Sequence, residues 1–225
     1  MSSVRAQEKK LGVFQGRNDV GSPARAGNTV YDAEKQEYVV EGAGSNMWAN
    51  RDEFQFVWKQ LKGDFILTST AAFIGKGVEQ HRKIGWIVRS SMDPDSAQAS
   101  VVLHGDGLTS LQFRRTKNGT TEELRSKVQG PDVLQLERKG NTYKMSVARS
   151  GDALSSEEVS LDLGDDVYVG LFVCSHNKNV AEKAVFKNVR ITVPAPDNFT
   201  PYRDYIGSNL EVMDVTTGIR KVVYS

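Results

Sequence analysis

No disulfide can form within this chain, because Cys174 is its one cysteine. The apolar setting of that residue, GLFVCS, marks a small buried hydrophobe, since a nucleophilic thiol needs exposure and an activating base. Lack of disulfides fits a reducing compartment, but also the many bacterial envelope proteins that do without them. No apolar run approaches the roughly 20 residues of a membrane span. Charge of one sign is not in excess: 29 basic and 28 acidic residues leave a formal net charge of +1. With no basic stripe, nucleic acid is excluded as a partner. The opening MSSVRAQEKK has no apolar core of a signal peptide. Its V-R-A nevertheless approximates a small-x-small cleavage site, so it reads equally as the tail of a trimmed leader. A periplasmic or extracellular location follows from that reading, with the cytoplasm as the alternative. Amphipathic helices of three turns are missing altogether.

What the chain does have is short alternating runs between Gly, Asn and Asp turns. A chain of 225 residues can bury a core without disulfides. Residues 1–10 read as a disordered lead, and Leu11 to Gly27 as irregular Gly-rich backbone. Phe54, Phe56 and Trp58 stand at i, i+2, i+4 and predict a half-buried strand whose aromatic side faces the core. Phe65–Ile74, Val133–Arg138, Tyr143–Ala148 and Ala184–Val193 follow as strands, and Val167–Ser175 as a central one. Hairpins are marked by Lys117-Asn118-Gly119-Thr120 and Lys139-Gly140-Asn141-Thr142. The pattern predicts an all-β sandwich or jelly roll of two antiparallel sheets over residues 11–193, with Phe56, Trp86, Leu103, Phe113, Leu171 and Phe186 buried. Residues 194–198, with Pro194 and Pro196, form a linker. In 199–225, Leu210–Asp214 and Arg220–Tyr224 flank Thr216-Thr217-Gly218 as a hairpin, which must pack on the sandwich or pair with a second chain.

KIGWIVRSS, ASVVLHGDG and LTSLQFRRT form the organising stretch. Ile84, Trp86, Val88, Val101, Leu103, Leu111 and Phe113 share one face. If the three strands are neighbours, Arg89, His104, Gln112 and Arg114 share the other, and that polar face is the candidate ligand site. Trp48, after the Gly-rich corner Gly42–Asn46, is the tryptophan expected to reach its rim. Trp58 and Trp86 are expected in the core. Arg89 could instead pair structurally with a carboxylate such as Asp64, and His81-Arg82-Lys83 reads as a solvated strand entrance.

Chemical motifs are sparse. Adjacent Glu122-Glu123 and Glu157-Glu158 project to opposite faces, unlike the alternating carboxylates, about 5–5.5 Å apart, of a retaining glycosidase. There is no G-x-S-x-G elbow. His104 and Asp106 read as a strand end and turn before they read as a base and its orienter. His81, His104 and His176 have no zinc spacing. No cofactor is required. A structural calcium is the one ion for which Asp93-Pro94-Asp95 and Asp165-Asp166 offer oxygens, although solvated turns account for both.

DFILTSTAAFIGKGVEQHRKIGWIVRSS, LQLERKGNTYKMSVARSGD and VYVGLFVCSHNKNVAEKAVFKNVRI, in that order, resemble the concanavalin A-like lectin/glucanase superfamily, in particular its bacterial DUF1349-like branch. The resemblance runs from about Val13 to Val193. It implies a jelly-roll sandwich and, for activity, anything from lectin to hydrolase to accessory module. YRDYIGSNLEVMDVTTGIRKVVYS resembles the opening strands of a TolB-like propeller blade. The expected function is a non-catalytic carbohydrate-binding module whose ligand lies on the concave face against Trp48, Arg89, His104, Gln112 and Arg114. The alternatives are a glucanase-type glycoside hydrolase and an architectural module that positions a propeller. The hairpin is the expected route to a homo-oligomer.

Overall fold

Period-two alternation becomes two stacked antiparallel sheets. A computed structural model describes residues 11–195, 210–213 and 220–224. The expected lead at 1–10, the expected linker beyond Ala195 and the expected turn at 216–218 lie outside the described residues. In chain order the strands are β1 (Gly16–Val20), β2 (Asn28–Asp32), β3 (Glu37–Gly44), β4 (Phe54–Lys62), β5 (Phe65–Ile74), β6 (Lys83–Arg89), β7 (Gln98–His104) and β8 (Thr109–Arg114). They continue as β9 (Glu122–Arg125), β10 (Val133–Lys139), β11 (Thr142–Ala148), β12 (Ser155–Ser160), β13 (Asp166–Cys174), β14 (Asn177–Thr192), β15 (Leu210–Met213) and β16 (Arg220–Tyr224). The front sheet has the order β1-β4-β13-β6-β7-β8-β9 and the back sheet β12-β11-β10-β5-β14-β3-β2. The described residues contain no helix, hence none that could cross a membrane. This is the expected jelly-roll sandwich.

The main core lies between the sheets. Trp86, Val101, Leu103, Leu111 and Phe113 from the front meet Phe65, Leu67, Leu134, Leu136, Tyr143 and Phe186 from the back. Trp86 Nε1 donates to Ser69 Oγ at 2.9 Å, which satisfies the one polar atom of a fully buried indole across the two sheets. Cys174 is buried and reduced, and burial pushes its thiol up to about 11, so it is no nucleophile at neutral pH.

Several expectations need correction. The segment before Gly27 contains a strand, β1, whose polar sequence GRNDV hides its pairing with β4. β12, SSEEVS, is a further edge strand without an apolar face to announce it. Phe54 and Phe56 do not enter the inter-sheet core. They build a second apolar cluster on the outer side of the front sheet, with Val20, Met47, Ile87, Val102, Phe172 and Cys174. Trp58 and Tyr168 pack on its margin, half-buried. β4 can do this because both its faces are apolar: Val57 points into the main core.

The tail forms the expected hairpin, β15 against β16. It meets the sandwich at a bulge in β14, where Asn188 has φ +51°. Arg190 Nε donates to Glu211 Oε1 at 2.6 Å, and Arg220 N to Asn188 Oδ1 at 3.5 Å.

Candidate functional site

On the outer side of the front sheet, register lines up the side chains in rows. Arg89, Gln98 and Arg114 form one row across β6, β7 and β8. Ile87, Ser100, Gln112 and Glu123 form the next, and Lys83 and His104 stand opposite each other at the far end. The structure therefore brings Arg89, His104, Gln112 and Arg114 onto one face of one sheet. It also buries all four: Arg89 and Arg114 are 0% exposed, Gln112 1% and His104 6%.

The cover is the segment 45–53, a strap that joins β3 of the back sheet to β4 of the front. Met47, 1% exposed, plugs the apolar cluster, a burial that stabilises by about 1.5–3 kcal/mol. Asp52 is fully buried and bridges the two arginines. Arg89 Nη1 donates to its Oδ2 at 2.6 Å, Arg114 Nη1 to Oδ2 at 3.0 Å and Arg114 Nη2 to Oδ1 at 2.7 Å. The remaining guanidinium donors reach carbonyls of Ser91, Asp93, Ser96 and Ala49 and the hydroxyl of Thr121. Every nitrogen of both guanidinium groups is engaged within the protein, and neither side chain is exposed to a ligand. The structural partner of Arg89 is thus Asp52; Asp64 instead accepts from Gly140 N at 2.7 Å.

At the other end of the face all three histidines of the chain converge. The His81 ring stands 6.1 Å from that of His104 and 5.6 Å from that of His176, centroid to centroid. Among the described residues no three His, Cys, Asp or Glu side chains stand at metal-binding spacing. Gln112 Nε2 and His104 Nε2 stand 3.3 Å apart; His104 Nδ1 and Gln112 Oε1 have no partner among the described residues. Burial, with the Lys83 charge beside it, holds His104 down at about 3, and the same causes lower His176. Arg82 and Lys83 are not solvated as expected. Arg82 is buried against Glu182 (2.8 Å) and over the Phe73 ring (4.1 Å), and Lys83 is 3% exposed.

Two places on this side stay open. Trp48, on the strap, is 40% exposed. Trp58 lies over Gly16, whose missing side chain leaves the space: a Cβ there would sit 2.6 Å from the indole. The indole Nε1 donates to Asn18 Oδ1 at 2.8 Å. Tyr168 stands edge-on beside it, ring centroids 5.4 Å apart at 80°. Neither this platform nor the strap's aspartate was singled out from the sequence. The aromatic triplet of β4 was the available signal, read onto the wrong face.

Lys117 hydrogen-bonds Asp93 and lies 3.6 Å from Asp95.

No protein family matches the chain by sequence, and neither does any curated protein. Solved structures do share its fold. A functionally unknown protein from Saccharomyces cerevisiae superposes with a TM-score of 0.58 at 15% identity, covering 75% of this chain and 93% of its own. Carbohydrate-binding module CBM66 from Bacillus subtilis has a TM-score of 0.50 at 18% identity, over 80% and 98% of the two chains. An immunostimulatory antigen and pseudo β-1,3-glucanase of Mycobacterium tuberculosis has 0.52 at 12% identity, over 75% and 79%. At such identities the likeness establishes a jelly-roll β-sandwich and nothing finer.

Proposed function

We propose that this chain is a non-catalytic carbohydrate-binding module of a secreted or periplasmic protein, with the glycan on the outer side of its front sheet. The observation that carries the proposal is the Trp58–Tyr168 platform. A half-buried indole packed against a glycine, its nitrogen engaged by Asn18 and a second aromatic ring edge-on beside it, suits the apolar side of a pyranose ring. Its neighbours Gln60 and Asn18 supply polar groups for sugar hydroxyls, and Trp48 adds a further exposed aromatic. Arg89 and Arg114 drop out of the ligand set, because they hold the strap. His104 and Gln112 lie beneath it as a buried polar layer.

The fold shared with a carbohydrate-binding module supports the class of ligand. A hydrolase is the weaker reading: both oxygens of Asp52, the buried carboxylate of this face, are engaged by guanidinium groups. Assembly with a propeller or with a second copy through the hairpin remains part of the proposal and rests on the tail's sequence and its docking at the β14 bulge. A glycan array probed with the purified full chain tests the reading. Selective capture of a neutral oligosaccharide is the expected result, and a blank array overturns it.

A further inference from the structure

Lys83 is a lysine that the glycan site does not use. It opens β6 at 3% exposure, with Cys174 across one ladder and His104 across the other. Its Nζ donates to Asn46 Oδ1 at 2.8 Å, and no carboxylate pairs with it among the described residues. Burial lowers its pKa, which favours the neutral, nucleophilic amine. A buried ammonium whose only partner is a neutral amide is costly, and the penalty disappears if the nitrogen becomes an amide itself.

Asn46 is prepared for the other half of that reaction. Its Oδ1 also accepts from Met47 N at 2.8 Å, so a backbone N–H already points at the oxygen that would carry negative charge in a tetrahedral intermediate. The residue is fixed in place by Glu53 N, which donates to Asn46 O at 2.8 Å. Lys83 and the neighbouring Met47 and Cys174 are buried, while Asn46 is half-buried. The nucleophile is thus shielded from bulk water and held in contact with the amide.

We propose that Lys83 and Asn46 form an intramolecular isopeptide bond that fastens the strap to the front sheet. The neutral Nζ attacks Asn46 Cγ, and the carbonyl electrons move to Oδ1, held by the Met47 N–H. The C–Nδ2 bond then breaks, and Nδ2 leaves as ammonia with one of the protons from Nζ. A primary amine and a primary amide give a secondary amide and ammonia, so no oxidant, reductant or co-reactant enters. The product joins positions 37 residues apart in sequence and ties the strap's first half to β6, as Asp52 ties its second half to Arg89 and Arg114.

The intact mass of the full chain, measured after denaturation, decides the matter. Loss of ammonia makes the protein about 17 Da lighter than its sequence requires. Digestion then yields one branched peptide joining the segments that contain Lys83 and Asn46. Lys83→Arg and Asn46→Ala are expected to restore the full sequence mass. The wild-type reading stands alone even if either variant fails to fold. A folded wild-type protein that keeps its full mass after prolonged incubation, with Lys83 and Asn46 in separate linear peptides, overturns the proposal.

Discussion

Arg89 and Asp52 meet at 2.6 Å with both side chains fully buried, one from the middle of a sheet and the other from the strap laid over it. A face that alternation alone presents as a row of free donors is closed by one carboxylate. Arg114 completes the arrangement at 2.7 Å, so Asp52 balances one of two buried cations while backbone carbonyls and the Thr121 hydroxyl take further donors.

Removing the carboxylate strands both arginines. Asp52→Ala is expected to destabilise the fold by about 3–5 kcal/mol, the cost of leaving a buried charge unpaired. Arg89→Ala should be similarly damaging, and the double variant should cost less than the sum of the two. Urea unfolding of the wild type and the three variants measures the coupling; additive effects would show that the pair does not act as a unit.

Acid should weaken the fold through His104. Its folded-state pKa, about 3, lies below the ordinary value near 6.5. Between these limits the unfolded chain binds the extra proton, so stability is present above about 6.5 and is lost as pH falls toward 3. His176, also lowered, acts in the same direction. Replacing His104 with Gln should flatten the decline in melting temperature between pH 6.5 and 4. An unchanged slope would assign the acid sensitivity to other groups.

The tail is held at one defined place. Arg190→Ala removes the 2.6 Å contact to Glu211 and should release the hairpin to proteolysis while lowering sandwich stability by no more than about 1 kcal/mol, since both partners are partly exposed. Deletion after Pro196, followed by light scattering, separates the remaining roles. A fall in mass beyond the deleted residues shows a hairpin-mediated dimer, and an unchanged oligomeric state shows packing within one chain.

Much of the sandwich was legible because the apolar positions of β6, β7, β8 and β10 fall mostly at period two, Ile87 and Val102 being exceptions that lie on the outer face. The shared face of Arg89, His104, Gln112 and Arg114 followed from the same rule once the strands proved adjacent. Asp52 was not legible. It lies in SNMWANRDEF, a loop with no period, and its burial depends on a chain crossing that local pattern does not encode. Trp58 was misplaced for a different reason: a strand apolar on both faces does not say which one meets the opposite sheet. β1 and β12 are polar edge strands, paired on one side only, and so carry no apolar stripe.

The central claim is that the ligand rests on Trp58 rather than on the polar row beneath the strap. Titration of the wild-type chain and of Trp58→Ala with the oligosaccharide selected on the array tests it most directly. The expected result is a loss of affinity of about tenfold or more with an unchanged melting temperature, because the indole is half-buried at the sheet's margin. Equal affinity in the two proteins, or a variant that unfolds, would return Trp58 to a structural role and contradict the account.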